Sequence, residues 1–415
     1  MSTLAISAGK RETLRRFKIR FRDKEGYFAA TALETEAVNV PVMNEKRAYL
    51  SLALPPAQIG VLSAENELDD QLRMLEDFGG EIVEDFQYDL EEVDLPPFLA
   101  QAEDAPADAD LDDVLEAINA PAAWERSRGT GVTIAVVDTG IDGTRQEFPA
   151  AKRVGAWQAL GDTPWTDWQG HGTMCACIAA GTRAAGGAFD GVAPDAGLIA
   201  CKTHFYDSEL TAVYDYLIAE LEKDPSRRIV ATNSFGIHTG SPPSLAPGSD
   251  FPDALEEAIE KGIAVCFSAG NYHELAGGAP AACNPTSIWL YKCRQGLVTV
   301  ATCDLGDTMW FYSSRGPGQD FGEQGTARKP DVTAPTPRNG RIVYGSGVKV
   351  LPDGWGTSGA CPQVAGLAAL LISADRSLEP RQVFDAIRRG AVTLGHGFDC
   401  EGSGRIDCEA SLALI

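Results

Sequence analysis

The sequence has no cysteine before residue 170, only five histidines, and no apolar run of the roughly 20 residues needed to cross a bilayer. Its opening residues, MSTLAISAGKRETLRRFK, place a short apolar patch ahead of the basic residues, the wrong order for a secretory leader. A chain complete at its N-terminus is therefore expected in the cytoplasm, with its ten cysteines reduced and acting as small hydrophobes. Cys175-x-Cys177 and the Cys400…Cys408 pair lack the spacing of a zinc site, so no metal is expected on cysteine. Basic charge is also short. The 35 Lys/Arg against 59 Asp/Glu leave a net charge of −24, which repels a phosphate backbone, and neither nucleic acid nor membrane is expected as a partner. Eight Lys/Arg do cluster between residues 10 and 24, but RRFKIRFRD alternates basic and apolar residues, as one solvated strand face does.

What is present fits a globular chain: 44% hydrophobic and 23% charged residues over 415 positions, enough for one large core and a smaller companion. VTIAVV (132–137), LIACKT (198–203), IVATNS (229–234), IAVCFS (263–268) and LVTVAT (297–302) are nearly continuous apolar runs, the pattern of strands covered on both faces. SELTAVYDYLIAELEKD (208–224) and DALEEAIEKG (253–262) carry helical periodicity between them. The expected fold is α/β, a doubly wound, mostly parallel sheet, over residues 114–415. Before it, strands at 16–23, 47–54 and 81–88 and a helix near 64–78 predict a small α+β domain over 1–90. Residues 81–113 hold thirteen Asp/Glu and no Lys/Arg, and 91–113 reads as an acidic linker. No internal repeat is visible.

Reactive groups of open parallel sheets collect where the strands end. Asp138 ends the first apolar run, His171 sits between glycines ahead of a small-residue helix, Gly270-Asn271 ends another run, and Ser358 stands in GTSGACPQVAG (356–366). Each alone also reads as a cap or a turn residue. Together they supply what a nucleophilic serine needs: a base, a carboxylate to orient the base, and donors for an oxyanion. Gly356 and Gly359 would let a substrate backbone approach.

DTGID (138–142), HGT (171–173), SAGN (268–271) and GTSGACPQVAG resemble the signature segments of the subtilisin-like serine proteases, the subtilases, in that family's chain order of Asp, His and Ser. AINAPAAW (117–124), GVAP (191–194), NSFG (233–236), SSRGP (313–317) and KPDVTAP (329–335) extend the likeness from about 117 to the C-terminus. The resemblance implies Asp138 as orienting carboxylate, His171 as general base then acid, Ser358 as nucleophile and Asn271 as oxyanion donor. It implies Ser234, Phe235 and Gly236 as the segment that pairs with a protein or peptide substrate as an added strand. Phe235 then lines a side-chain pocket or lies in the core. Gly359, Cys361 and Gln363 stand where the family usually has Met, Ser and His, and a second His is absent near Met174. Cys175, Cys177 and Cys361 either fill the core or make the site redox-sensitive.

Glu147 falls where relatives often place a calcium-binding carboxylate. One carboxylate makes a poor site, and the 182–190 loop lacks the usual Asn-rich sequence, so no cofactor is expected and calcium is doubtful. Ile288, Trp289, Leu290 and Tyr291 line a specificity pocket or belong to a packed insertion. The N-terminal domain is similar to the family's inhibitory propeptides in size, position and its helix–Gly-Gly–strand run (70–88), with a docking domain as the rival. The expected function is an intracellular serine endopeptidase acting through an acyl-enzyme on Ser358. The alternatives are a catalytically silent peptide-binding module and a peptide-maturation transpeptidase or cyclase. Nothing in the sequence speaks to oligomeric state.

Overall fold

The computed structural model of the chain describes residues 15–21, 38–43, 48–54, 80–90, 106–159, 162–237, 239–244, 249–319 and 327–415. The chain divides into two compact units, residues 1–86 with 206–208 and 246–250, and the remainder. In the first, β1 (Arg15–Phe21), β2 (Val38–Met43), β3 (Ala48–Leu54) and β4 (Gly80–Glu84) form an antiparallel sheet in the order β2–β3–β1–β4. Ile19 faces Leu50 on one side and Ile82 on the other. β2 was not anticipated, because Pro41 argues against a strand. As an edge strand it tolerates a residue that cannot donate to the ladder. The helix expected near 64–78 and the chain from 91 to 105 lie outside the described residues.

In the second unit β5 (Asp89–Leu90) and β6 (Ala109–Asp110) precede a helix at Leu111–Ala117, capped by Asp110 in a capping box with Asp113. Then come β7 (Thr133–Asp138), β8 (Arg153–Gln158), β9 (Gly197–Lys202), β10 (Ile229–Asn233), β11 (Phe235–Gly236), β12 (Ala264–Ser268), β13 (Val298–Cys303), β14 (Val332–Pro335), β15 (Gly340–Tyr344) and β16 (Gly347–Leu351). Seven of them make one sheet in the order β14–β13–β12–β10–β7–β9–β8, with every pair parallel. The continuous apolar runs are its buried central strands. From β7 the chain crosses to the edge strand β8, comes back through β9 between the two, and then builds from β10 in the other direction. β7 and β10 therefore flank the switch point where such sheets gather their ligands.

Two helices, His171–Ala180 and Gly356–Ala374, are buried almost all round, which explains why neither has a polar face. The second is the one described helix long and apolar enough to cross a bilayer, and it lies in the core instead. Its own Cys361 and the Cys175 and Cys177 of the first helix are core residues here. The expectation that all ten cysteines are reduced is corrected: Cys283 and Cys400 form a disulfide across 117 residues, and the other eight are buried thiols. The partners lie on a loop after β12 and on the short helix Phe398–Glu401, so only the tertiary fold brings them together.

Candidate active site

Asp138 is the last residue of β7, Ser234 follows β10 and Asn271 lies three residues past β12, so three neighbouring strands deliver them to one end of the sheet. His171 opens its helix. It closes on β7 because Gly172 has no side chain: a Cβ there would stand 2.2 Å from the Gly140 carbonyl oxygen and 3.0 Å from Asp138 Cβ. His171 Nδ1 then lies 2.8 and 3.0 Å from the two carboxylate oxygens of Asp138, with both side chains buried. The Thr139 N–H donates to Asp138 Oδ1 (2.8 Å) and fixes the carboxylate. Burial alone would lower the imidazole pKa, but the Asp138 charge beside it outweighs that and holds His171 well above its ordinary value. His171 Nε2 is buried and makes no hydrogen bond among the described residues, so no bond joins it to the Ser358 hydroxyl in this conformation.

Ser358 lies in the first turn of the Gly356–Ala374 helix and is 1% exposed. Pro362, four residues on, has no N–H to give the Ser358 carbonyl, which an unbroken helix would require. Two side chains take its place: the Ser234 hydroxyl donates to that carbonyl at 3.3 Å and the Cys175 thiol at 3.5 Å. The same thiol is 3.8 Å from His171 Nδ1, so one sulfur meets both the base and the backbone of the serine. Burial pushes the Cys175 thiol up to about 11, so it stays protonated at neutral pH. Asp138, His171 and Cys175 bring ligand-type atoms within 4.8 Å of one another. The carboxylate and imidazole are engaged with each other, and no metal role follows. Asn271 accepts from the N–H and the hydroxyl of Thr357, both at 3.0 Å, which turns the NH2 end of its amide away from Thr357. The glycines around Ser358 answer partly to packing: a Cβ on Gly359 would stand 2.4 Å from Trp355 Cβ.

Phe235 and Gly236 pair antiparallel with Leu90 and Asp89. On the far side of that segment, the Tyr88 N–H donates to the Phe205 carbonyl (2.8 Å). Phe235 is fully buried among Tyr88, Phe205, Phe251, Phe267 and Tyr291, with ring centroids 5.4 to 6.2 Å away. Ile288, Trp289, Leu290 and Tyr291 are all buried, as a packed insertion requires. Ile288 contributes to a small core cluster with Ala269, Cys293 and Cys400.

A family model described as the subtilase family matches residues 129–404, two thirds of the chain and every residue above except the Tyr88–Leu90 segment. The chain belongs to the subtilase family. It is 28% identical over 318 residues to a calcium-dependent protease of Nostoc sp., covering 68% of this chain and 45% of that protein. It is 30% identical to subtilisin-like protease 4 of Arthroderma benhamiae, covering 65% and 58%, and 30% identical to thermitase of Thermoactinomyces vulgaris, covering 63% and 81%. The matched region thus spans about half the length of the first two of these relatives. The crystal structure of MycP1 with its N-terminal propeptide removed has a similar fold, with a TM-score of 0.54 at 21% identity over 74% of this chain and 98% of that one.

As a subtilase, the chain departs from the usual pattern in ways its structure accounts for. Gln363, in place of the family's His, donates to the Pro335 and Gly359 carbonyls at 2.7 and 3.0 Å. Cys361 packs its sulfur 3.3 Å from the Thr232 hydroxyl of β10. Glu147 does not fit calcium. Its two carboxylate oxygens take the Arg145 guanidinium at 3.0 and 2.9 Å and the Ala188 N–H at 2.7 Å. Burial raises the Glu147 carboxyl pKa, and those donors outweigh burial and leave it below its usual value. An internal cation already balances this buried charge.

Sequence reasoning missed Asp167. Its carboxylate accepts from Thr139, Gln169, Gly170 and Thr173, and its only sequence signal is an acidic residue just upstream of a helix that opens on glycine.

Proposed function

We propose that this chain is a serine endopeptidase in which Ser358 attacks a peptide carbonyl and forms an acyl-enzyme. His171 Nε2 takes the Ser358 proton as the C–O bond forms, and Asp138 balances the imidazolium on the Nδ1 side. The Asn271 NH2 and the Ser358 N–H hold the oxyanion of the tetrahedral intermediate. Its collapse breaks the C–N bond, with His171 returning the proton to the leaving amine. Water, deprotonated by the same imidazole, then releases the acid and restores Ser358. The carrying observation is the buried Asp138–His171 pair at 2.8 Å, whose free Nε2 is the nitrogen that this chemistry needs. Bonds between base and nucleophile are often long before substrate arrives and tighten in the Michaelis complex.

The same reading makes the N-terminal domain an inhibitor that acts through the segment directly after it, residues 88–90. Asp89 and Leu90 use the strand-pairing edge at Phe235–Gly236 that an extended substrate would use, with Tyr88 seated in the aromatic cluster beside it. A fluorophosphonate probe on the full-length protein tests both parts. The adduct is expected on Ser358, absent in Ser358→Ala and sharply reduced in His171→Ala. Tyr88→Ala is expected to speed labelling several-fold by loosening the resident strand. An adduct elsewhere, or none in any variant, overturns the protease reading. Labelling at Ser358 that Tyr88→Ala leaves unchanged favours a docking role for the N-terminal domain.

A further inference from the structure

We propose that Asp167 is a positioning residue that sets the separation of Asp138 and His171, an inference that rests on the serine-protease reading above. The loop that follows β7 and the start of the His171 helix are different segments, and something must hold them in register. Asp167 is bonded to both. Its Oδ1 accepts from the Thr139 hydroxyl (2.8 Å), the Gln169 N–H (3.0 Å) and the Gly170 N–H (2.7 Å). Its Oδ2 accepts from the N–H and the hydroxyl of Thr173, at 2.9 and 2.5 Å. Five donors on one half-buried carboxylate is full occupancy, and a neutral amide in its place would turn an NH2 toward donors.

The donors it collects are the ones a helix start leaves unpaired. Gly170 caps the helix and has no side chain, so its four leading N–H groups must be served from elsewhere. Asp167 takes those of Gly170 and Thr173, Gln169 Oε1 takes that of His171 (2.8 Å), and Thr139 Oγ1 takes that of Gly172 (2.9 Å). Thr139 is the hinge of the arrangement. Its N–H holds the Asp138 carboxylate, its hydroxyl donates to Asp167, and the same oxygen accepts from the residue after His171. Thr173 repeats the link, its hydroxyl donating to Asp167 and accepting from the Asp142 N–H at 3.0 Å. Both catalytic segments are thus tied to the same two oxygens, and a shift of either is a shift against Asp167.

The test uses the full-length protein and the variants Asp167→Asn, Thr139→Val and Thr139→Ser. Three readouts are followed: kcat and KM on a peptide substrate, the acid limb of kcat/KM, and the far-downfield proton signal of a buried Nδ1–H shared with a carboxylate. Asp167→Asn is expected to lower kcat about 10- to 100-fold with KM within about twofold, since misplacement of a reacting group by an ångström is worth about that much. It should also weaken the downfield signal and move the acid limb to lower pH, because the Asp138 contact supports the imidazolium. Cys175, the other titratable neighbour of His171, is untouched by the change. Thr139→Val should follow Asp167→Asn, and Thr139→Ser, which keeps the hydroxyl, should restore all three readouts. A folded Asp167→Asn protein with unaltered limb and signal overturns the proposal, as does an activity loss that only tracks the unfolded fraction. A wild-type protein without Ser358 labelling overturns the protease reading instead, and the proton signal then still decides whether Asp167 sets the Asp138–His171 separation.

Discussion

The two buried helices that carry the site begin differently. The start of the His171 helix is closed: side chains of Asp167, Gln169 and Thr139 take its leading N–H groups. At the Ser358 helix Trp355 supplies no side-chain cap, and the Asn271 side chain takes the Thr357 N–H. A capped start serves to hold a side chain still. A start that holds the nucleophile at the positive end of the helix dipole serves to meet negative charge that appears only during reaction.

Breaking the sealed side at its purpose should have the largest effect. Asp138→Asn is expected to lower kcat about 10⁴-fold by losing the imidazole's orienting partner. The sign of its pH effect also follows. Only neutral imidazole accepts the serine proton, and Asp138 holds His171 well above its ordinary value of about 6.5, so the wild-type acid limb should lie above that pH. In Asp138→Asn the limb should fall to lower pH. A limb that stays in place contradicts the pairing. At the Ser358 helix, Asn271→Ala should lower kcat about 10²- to 10³-fold with KM little changed, as removal of one oxyanion donor does. Equal losses in binding and turnover would mean that Asn271 serves only to hold Thr357. Gln169→Ala sharpens the comparison from the sealed end: one cap lost, about 1 kcal/mol of stability in a denaturant titration, and kcat within a few-fold. The smallest effect is expected away from both starts. Because Arg145 already balances Glu147, chelation with EDTA should leave the melting temperature unchanged, and a large drop would show that a metal binds elsewhere. The depressed Glu147 pKa stabilises the fold above about pH 4.3, and that stabilisation fades as pH falls through the lower folded-state value.

Much of the sheet was legible because buried parallel strands write themselves as unbroken apolar runs. β7, β9, β10, β12 and β13 all fall within a residue or two of the runs that announced them. β8 was not seen: RVGAWQ lies at the sheet edge with residues half exposed, so it lacks the run. The short β14 and the hairpin β15–β16 carry too few residues for a period to show. Asp138, His171, Asn271 and Ser358 were found through motifs, and the fold brings Asp138 to His171 directly. Phe235 could be read as pocket or core from sequence, and the fold buries it among Tyr88, Phe205, Phe251, Phe267 and Tyr291. The Cys283–Cys400 bridge was illegible because nothing local marks partners 117 residues apart. It predicts eight titratable thiols in the denatured, unreduced protein rather than ten.

Pro362 removes one rung from the ladder behind Ser358, and the vacancy is taken by the hydroxyl of Ser234. Ser234 is joined by a single peptide bond to Phe235, where an extended chain zips onto the edge of the fold. The grip on the attacking residue and the rail along which a polypeptide is laid are therefore consecutive beads of the same string.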